Sequence, residues 1–148
     1  MVVTLLMALA SLLSVVQFCG NSFPVVEGEE ISTQPDTVTL FLPSEAHGTG
    51  LVAHNTLAGS SFYKLKVGDT IRYRGTWEVV EIRRVRATRP LDWYSDFVDL
   101  DTGKWYTSGE LVDEVYPKGM LTLQTCLKIN GDVSGGRYFV IARLTRGF

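Results

Sequence analysis

The sequence predicts a single, mainly β domain whose short strands close into a small barrel. Residues of high β propensity are concentrated in about six short runs, separated by Gly, Pro, Asn or Asp. A capping signal precedes only one segment with helical spacing. The length of 148 residues suits one domain rather than two. A barrel is favoured over an open sheet because closure removes exposed strand edges.

Four strands are predicted in the first half of the domain. Alternating or continuous apolar residues mark them at residues 37–42, 48–55, 70–74 and 77–86. Pro43 ends the first strand, and Gly75 gives the last two strands the tight turn of a hairpin. Phe62 and Leu65, ahead of Gly68, predict a helical turn between the two pairs of strands.

The second half of the domain contains the predicted helix. Thr107 and Glu110 form a capping box, and Pro117 prevents the helix from continuing. The predicted elements are a loop with a small hairpin at 90–107, one short helix at 108–116, and strands at 120–126 and 137–144.

Residues 1–19 are apolar apart from Thr4, Ser11, Ser14 and Gln17, and the first charged side chain is Glu27. A helix of this length would measure about 28 Å, close to the roughly 30 Å hydrocarbon core of a bilayer. We therefore predict a signal peptide or membrane anchor at 1–19, a linker at 20–36 and the folded domain at 37–148. This arrangement places the domain at the extracellular face of the cell membrane, as a single-pass protein, or in secreted form.

The charge balance and the cysteine count exclude several classes of function. Fourteen Lys and Arg face sixteen Asp and Glu, so no basic field exists to bind nucleic acid. Two cysteines are too few for a disulfide framework or a cysteine-rich zinc site. Six of the nine arginines lie within residues 72–89. They are interpreted as a solvated strand face, with an anionic ligand or lipid surface as the alternative.

Cys126, His54 and Arg137 are the candidate chemical groups. Cys126 is the only thiol beyond the apolar leader, and a thiol becomes a nucleophile where its neighbours favour the thiolate. His54 follows an apolar strand, whereas His47 lies in a turn. A hairpin between the last two strands would bring Arg137 beside Cys126, where its guanidinium can stabilise an oxyanion. Spacing alone leaves open the alternative of an inert core thiol and surface histidines.

Three local strings resemble the sortases, the surface transpeptidases of mainly Gram-positive bacteria. Residues 121–126 (LTLQTC) reproduce the Thr-Leu-x-Thr-Cys pattern that ends the family's nucleophile strand. Residues 137–142 (RYFVIA) resemble the next strand, which starts with the active-site arginine. Residues 50–55 (GLVAHN) resemble the strand that delivers the histidine, with Ala53 where sortases usually have glycine. The order of the strings is that of the family.

The resemblance implies a sortase-type barrel with one or two short helices and a surface cysteine transpeptidase, class E/F-like or otherwise sortase-like. Cys126 would attack a peptide sorting signal to form a thioacyl enzyme. His54 would act as general acid and base, Arg137 would stabilise the oxyanion and Thr125 would bind substrate. The acceptor would be an amine of the cell envelope or of a pilin. No metal and no organic cofactor is expected.

Two further expectations follow from the same comparison. About 17 residues separate Thr37 from His54, where the family usually has two strands and a helix, so the barrel is expected to be abbreviated at its N-terminus. The alternative function is a non-catalytic sortase-fold binding module at the membrane, using the aromatic loop around Trp93 and Trp105.

Overall fold

The computed structural model describes residues 14–147. Over this range the chain is mainly β, with one α-helix, α1 (Ser108–Val115), and two 3-10 helices, Leu42–Ser44 and Ala58–Lys64. The strands are β1 (Val15–Phe18), β2 (Asn21–Gly28), β3 (Val38–Phe41), β4 (Thr49–Val52), β5 (Thr70–Arg72), β6 (Thr76–Ala87), β7 (Phe97–Asp99), β8 (Trp105–Tyr106), β9 (Leu121–Ile129) and β10 (Asp132–Arg146).

Eight strands close into a barrel in the order β1-β2-β3-β4-β9-β10-β6-β5, and β5 returns to β1. The β2–β3 and β4–β9 pairs are parallel, and the other pairs are antiparallel. The remaining two strands, β7 and β8, extend the sheet outward from β6. The predicted small barrel is therefore confirmed.

The elements predicted from residue 37 onward are confirmed, with ends that differ by a few residues. The Thr107 side chain accepts a hydrogen bond from the Glu110 N–H at 3.3 Å and caps α1, as the capping box predicts. Gly75 has a φ of +128° in the β5–β6 turn, a conformation that favours glycine. Local capping and turn chemistry therefore set these boundaries.

The prediction for the N-terminal residues is wrong where the structure describes them. The end of the predicted leader forms β1, and most of the predicted linker forms β2. Val16 and Phe18 are buried inside the barrel while Gln17 is exposed, which is the alternation of a strand. Cys19 and Gly20 both have positive φ and form the two-residue turn of a β-hairpin.

The domain therefore begins before Thr37, and the expected abbreviation of the barrel is also wrong. The two strands missing between Thr37 and His54 are supplied by β1 and β2. Residues 29–37 connect the parallel strands β2 and β3 without a helix. The rest of the predicted leader, residues 1–13, lies outside the described residues.

Two hydrophobic clusters fill the described part of the molecule, one on each face of β10. The inward side chains Tyr138, Val140 and Ala142 belong to the barrel core. The alternate side chains Phe139 and Ile141 belong to a second cluster with α1 and β7. Both faces of β10 are buried because residues 88–120, named here the insert, cover the outside of the barrel.

A charged network attaches the insert to β6. Arg83 donates to Glu81 at 2.6 Å and to Asp99 at 3.3 Å, and it also donates to Glu114 on α1. Asp99 is only 3% exposed. The arginines of this region were predicted to lie on a solvated strand face. Arg83 is an exception, because its acidic partners shield its side chain from solvent. Arg84, the next residue along β6, is exposed and pairs with Asp101 at 2.6 Å, as predicted for a solvated face.

Across residues 14–147, no helix is long and apolar enough to cross a membrane. Within the same range, no group of three His, Cys, Asp or Glu side chains is arranged to hold a metal ion.

Candidate active site

Three strands bring the candidate residues to one end of the barrel. β4 runs parallel to β9, with Val52 opposite Gln124. One residue further on, the Ala53 N–H donates to the Gln124 carbonyl at 3.2 Å. His54 follows directly, level with the point on β9 where Cys126 lies. The parallel pairing therefore explains how residues far apart in sequence reach the same rim.

Cys126 and Arg137 are direct partners in the antiparallel β9–β10 ladder. Opposite residues in such a pair project to the same face, with Cβ atoms about 5 Å apart. The register shift between Asp132 and Gly136 lies between this pair and the end of the hairpin. The sequence-based expectation that the hairpin places these two residues side by side is confirmed.

Backbone carbonyl groups hold the Arg137 guanidinium in place. It donates to the carbonyls of Ser134 and Gly136 at 2.9 Å and to that of Pro90 at 3.1 Å. In the described part of the chain these bonds use three of its five N–H donors, so two remain for a ligand. The Phe97 ring centroid lies 5.9 Å from the guanidinium carbon. Arg137 is therefore fixed and still able to donate.

Thr125 lies next to Cys126 but projects toward the barrel interior. It is 2% exposed, and its hydroxyl donates to the Ala53 carbonyl at 2.7 Å. This bond ties β9 to the segment that carries His54. The substrate-binding role of Thr125 stays a prediction, while the observed hydrogen bond gives it a structural role.

One cavity of about 230 Å³, named here the cleft, is lined by all four candidate residues: His54, Thr125, Cys126 and Arg137. Its outer wall is the Trp93 loop, residues 90–95, whose Leu91 side chain is 91% exposed. Cys126 and His54 are partly buried, so both remain accessible from the cleft. The described structure thus brings together the thiol, the imidazole and the guanidinium that the sequence singles out.

A second cavity, named here the apolar pocket, adjoins the cleft and measures about 290 Å³. The two cavities share Asp92, Trp93, Gln124 and Arg137. Its floor is formed by side chains of the second hydrophobic cluster, Phe97, Leu111, Val115, Tyr116 and Phe139. Trp93 lines both cavities and stacks on Phe41 at a ring-centroid distance of 6.3 Å.

His47 lies away from the cleft. Its Nδ1 atom is 3.4 Å from an Asp113 carboxylate oxygen on α1, and the residue borders the apolar pocket. The histidine beside Cys126 is therefore His54.

Sequence reasoning did not identify the residues of the 3-10 helix Ala58–Lys64 that pack against the site. A Cβ atom on Gly59 would lie 2.5 Å from the Ala53 carbonyl oxygen and 2.7 Å from that of His54. The Tyr63 hydroxyl donates to the Cys126 carbonyl. The Tyr63 contact has no local sequence signal, because it joins segments 63 residues apart in the chain.

The fold is similar to those of solved sortases. Sortase C of Streptococcus pneumoniae matches over 88% of this chain and 66% of its own, at a TM-score of 0.58 and 18% identity. Listeria monocytogenes sortase A matches over 88% of this chain and 84% of its own, at a TM-score of 0.55 and 15% identity. Clostridium perfringens sortase C was solved with the C-terminal cell wall sorting motif. It matches over 90% of this chain and 70% of its own, at a TM-score of 0.55 and 20% identity. The chain therefore has the sortase fold.

No protein-family model and no curated protein sequence matches this chain. The similar structures are sortases of classes A and C, so the class E/F likeness stays a prediction.

Proposed function

We propose that this protein is a sortase-like cysteine transpeptidase. The observation that carries the proposal is the cleft, in which Cys126, His54 and Arg137 line one cavity at the rim of a sortase-fold barrel. The substrates proposed are a peptide sorting signal and an amine of the cell envelope or of a pilin. Class E/F is the proposed subgroup.

The first half of the reaction forms a thioester. The Cys126 thiolate attacks a substrate carbonyl carbon, and the charge that develops on the oxygen meets the two available N–H donors of Arg137. Collapse of this tetrahedral species breaks the C–N bond, and protonated His54 gives its proton to the leaving amine. The acyl group is then bound to sulfur.

The second half reverses the same steps with a new amine. The acceptor amine attacks the thioester carbonyl, and neutral His54 takes the proton that the nitrogen loses. The C–S bond breaks, the new amide leaves, and Cys126 returns to the thiolate. Atoms and charges balance without a metal or an organic cofactor.

The apolar pocket gives the proposal a place for the acyl side of the substrate. Because the pocket adjoins the cleft and the two share Arg137 in their linings, a peptide whose carbonyl lies at Cys126 is proposed to place an upstream apolar side chain in the pocket. Burial of apolar surface there would contribute roughly 25 cal/mol per Å². The sorting signal is therefore proposed to carry a large apolar residue upstream of the cleaved bond.

The proposed location is the extracellular face of the cell membrane or the secreted fraction. It rests on the apolar character of residues 1–13, which suits the apolar region of a secretory signal, with the domain from Val15 onward folded outside the bilayer. Protease added to intact cells should remove the domain, and protection from protease until the cells are lysed would oppose this location.

Hydroxylamine trapping of the acyl enzyme tests the proposed activity. The protein is incubated with a peptide library and hydroxylamine, and peptide hydroxamates are measured by mass spectrometry. The parent should form hydroxamates, Cys126→Ala should form none, and His54→Gln should form them far more slowly. Equal hydroxamate formation by the parent and Cys126→Ala would contradict the mechanism.

A non-catalytic binding module is the second candidate, because Leu91, Trp93 and Tyr94 are at least 70% exposed beside the cleft. In that case Cys126→Ala would retain full peptide binding, and the parent would give no hydroxamate.

A further inference from the structure

Tyr63 connects the 3-10 helix Ala58–Lys64 to the candidate nucleophile. Its hydroxyl donates to the main-chain carbonyl of Cys126. Its ring meets that of Tyr138 edge to face, with centroids 4.9 Å apart. Tyr138 follows Arg137 in β10, so this one side chain contacts both strands of the β9–β10 pair at the cleft.

Asn55 extends the same network to the segment that carries the imidazole. Its side chain directly follows His54 and donates to the Val133 carbonyl at 2.9 Å. Its amide also lies near enough to the Tyr63 hydroxyl to lower the pKa of that phenol. Burial raises the pKa of Tyr63 overall, with the nearby Asn55 amide acting against it, so the phenol stays protonated and able to donate at neutral pH.

The Cys126 carbonyl needs this donor because of where β4 ends. Along the β4-facing edge of β9, the Gln124 carbonyl accepts the Ala53 N–H. Alternation places the Cys126 carbonyl on the same edge two residues later, beyond the last residue of β4. Tyr63 therefore takes the position of a strand partner and fixes the peptide plane that follows the thiol.

We propose that Tyr63 and Asn55 are a positioning pair, which holds the Cys126 backbone and thereby directs the thiol toward His54 and Arg137. Neither residue is among those that line the cleft. They act through Cys126 and not by touching substrate. The effect on turnover rests on the proposed function, whereas the effect on the thiol itself does not.

Tyr63→Phe isolates the hydroxyl while keeping the ring. Tyr138→Phe is the matched control, since it removes a hydroxyl from the other ring of the pair and leaves the Cys126 contact in place. All proteins carry Cys19→Ser, because Cys19 is exposed and would also react with alkylating reagents. The first readout is the rate of Cys126 alkylation by iodoacetamide, followed by intact mass.

The second readout is hydroxamate formation, analysed as kcat and KM. Tyr63→Phe should lower kcat about threefold to tenfold, the scale of one hydrogen bond, with KM within about twofold. It should also change the alkylation rate at least twofold, whereas Tyr138→Phe matches the parent. Asn55→Ala should reproduce both effects, and the double variant should lose less than the product of the two single losses.

Several outcomes separate this inference from the proposed function. If the parent forms no hydroxamate but Tyr63→Phe still alters alkylation and Tyr138→Phe does not, the transpeptidase proposal fails and the positioning pair stands. If the parent is active, and Tyr63→Phe and Asn55→Ala both equal it in alkylation rate and in hydroxamate formation, the positioning pair is overturned. A raised KM with unchanged kcat in Tyr63→Phe would also overturn it, because that result assigns Tyr63 to substrate binding. Circular dichroism melting confirms that each variant is folded.

Discussion

Cys126 and Arg137 face each other across the β9–β10 ladder, so their side chains project from the same face of the sheet. Any change in the register of this pair would separate the thiol from the guanidinium. The carbonyls of Ser134, Gly136 and Pro90 then restrict the guanidinium to the mouth of the cleft. Strand pairing and main-chain hydrogen bonds together preorganise the two groups.

Arg137→Lys tests whether the planar fork matters beyond its charge. An ammonium group has three donors on a flexible stem and cannot make the same bonds to three carbonyls while facing a substrate. Turnover is expected to fall about a hundredfold, the scale of a lost oxyanion donor, with the fold retained. Arg143→Lys is the matched control on β10, where an exposed arginine pairs with Glu78 at 3.4 Å. Similar turnover in both variants would show that charge alone suffices.

Gly59→Ala tests the close packing of the 3-10 helix Ala58–Lys64 on the site. The added Cβ would press on the carbonyls of Ala53 and His54, which belong to the backbone and move only if the segment shifts. We expect a stability loss of roughly 1–3 kcal/mol in urea titrations and slower turnover. Gly109→Ala is the control, because nothing lies within 4 Å of the Cβ that this change would add. Since alanine favours the helix more than glycine does, this change within α1 should stabilise the protein by up to about 1 kcal/mol. Equal stability of the two variants would contradict this packing.

Trp93→Ala tests the wall shared by the cleft and the apolar pocket. Trp93 lines both cavities and stacks on Phe41, so its removal should weaken substrate binding more than chemistry. KM is expected to rise about tenfold, corresponding to roughly 1–2 kcal/mol of lost apolar contact, with little change in kcat. Trp105→Ala removes an equally large, 61% exposed ring from elsewhere in the insert and should leave KM unchanged. The opposite pattern would place the substrate on the Trp105 side.

Acid should loosen the insert through Asp99 and Glu114. Burial by itself would raise the pKa of Asp99, but the N–H groups of Thr102 and Asp101 and the Arg83 charge lower it overall. The hydrogen bond from Arg83 lowers the pKa of Glu114. Both carboxyl pKa values are lower in the folded state than in the unfolded state. The network therefore stabilises the protein when the pH is above the unfolded-state pKa values, and this stabilisation is lost progressively as the pH falls below about 5.

Melting temperatures measured from pH 7 to 3 check this dependence. The melting temperature of Arg83→Gln should fall less steeply with acid than that of the parent. Arg84→Gln is the control, since its exposed pair with Asp101 is worth little. Parallel curves for the parent and Arg83→Gln would show that this network does not set the acid response.

The fold from β3 to β10 was predictable because its signals are local. Strand alternation, the Gly75 turn and the Thr107 cap act over a few residues, and the structure retains each of them. β1 was misread because an apolar run without charges fits both a bilayer span and a barrel strand. Two signals of a strand were available in the sequence. Polar Gln17 lies between apolar Val16 and Phe18, which the structure buries, and Cys19-Gly20 follows as a turn.

The candidate site was predictable only in part. Family-like strings singled out Cys126, His54 and Arg137, and the structure brings them to one cleft. Tyr63 and Asn55 could not be found in this way, because their contacts with Cys126 and Val133 join segments more than 60 residues apart in sequence. Arg83 was taken for a solvated residue for the same reason, since its partners come partly from the insert.

The mass of the intact protein after mixing with the peptide library tests the central claim most directly. The parent should gain the mass of an acyl fragment on Cys126, hydroxylamine should remove it, and the other half of the peptide should appear in solution. Cys19→Ala should behave like the parent, and Cys126→Ala should gain no mass. An adduct that persists in Cys126→Ala, or cleavage without any hydroxylamine-sensitive adduct in the parent, would contradict a thioacyl enzyme.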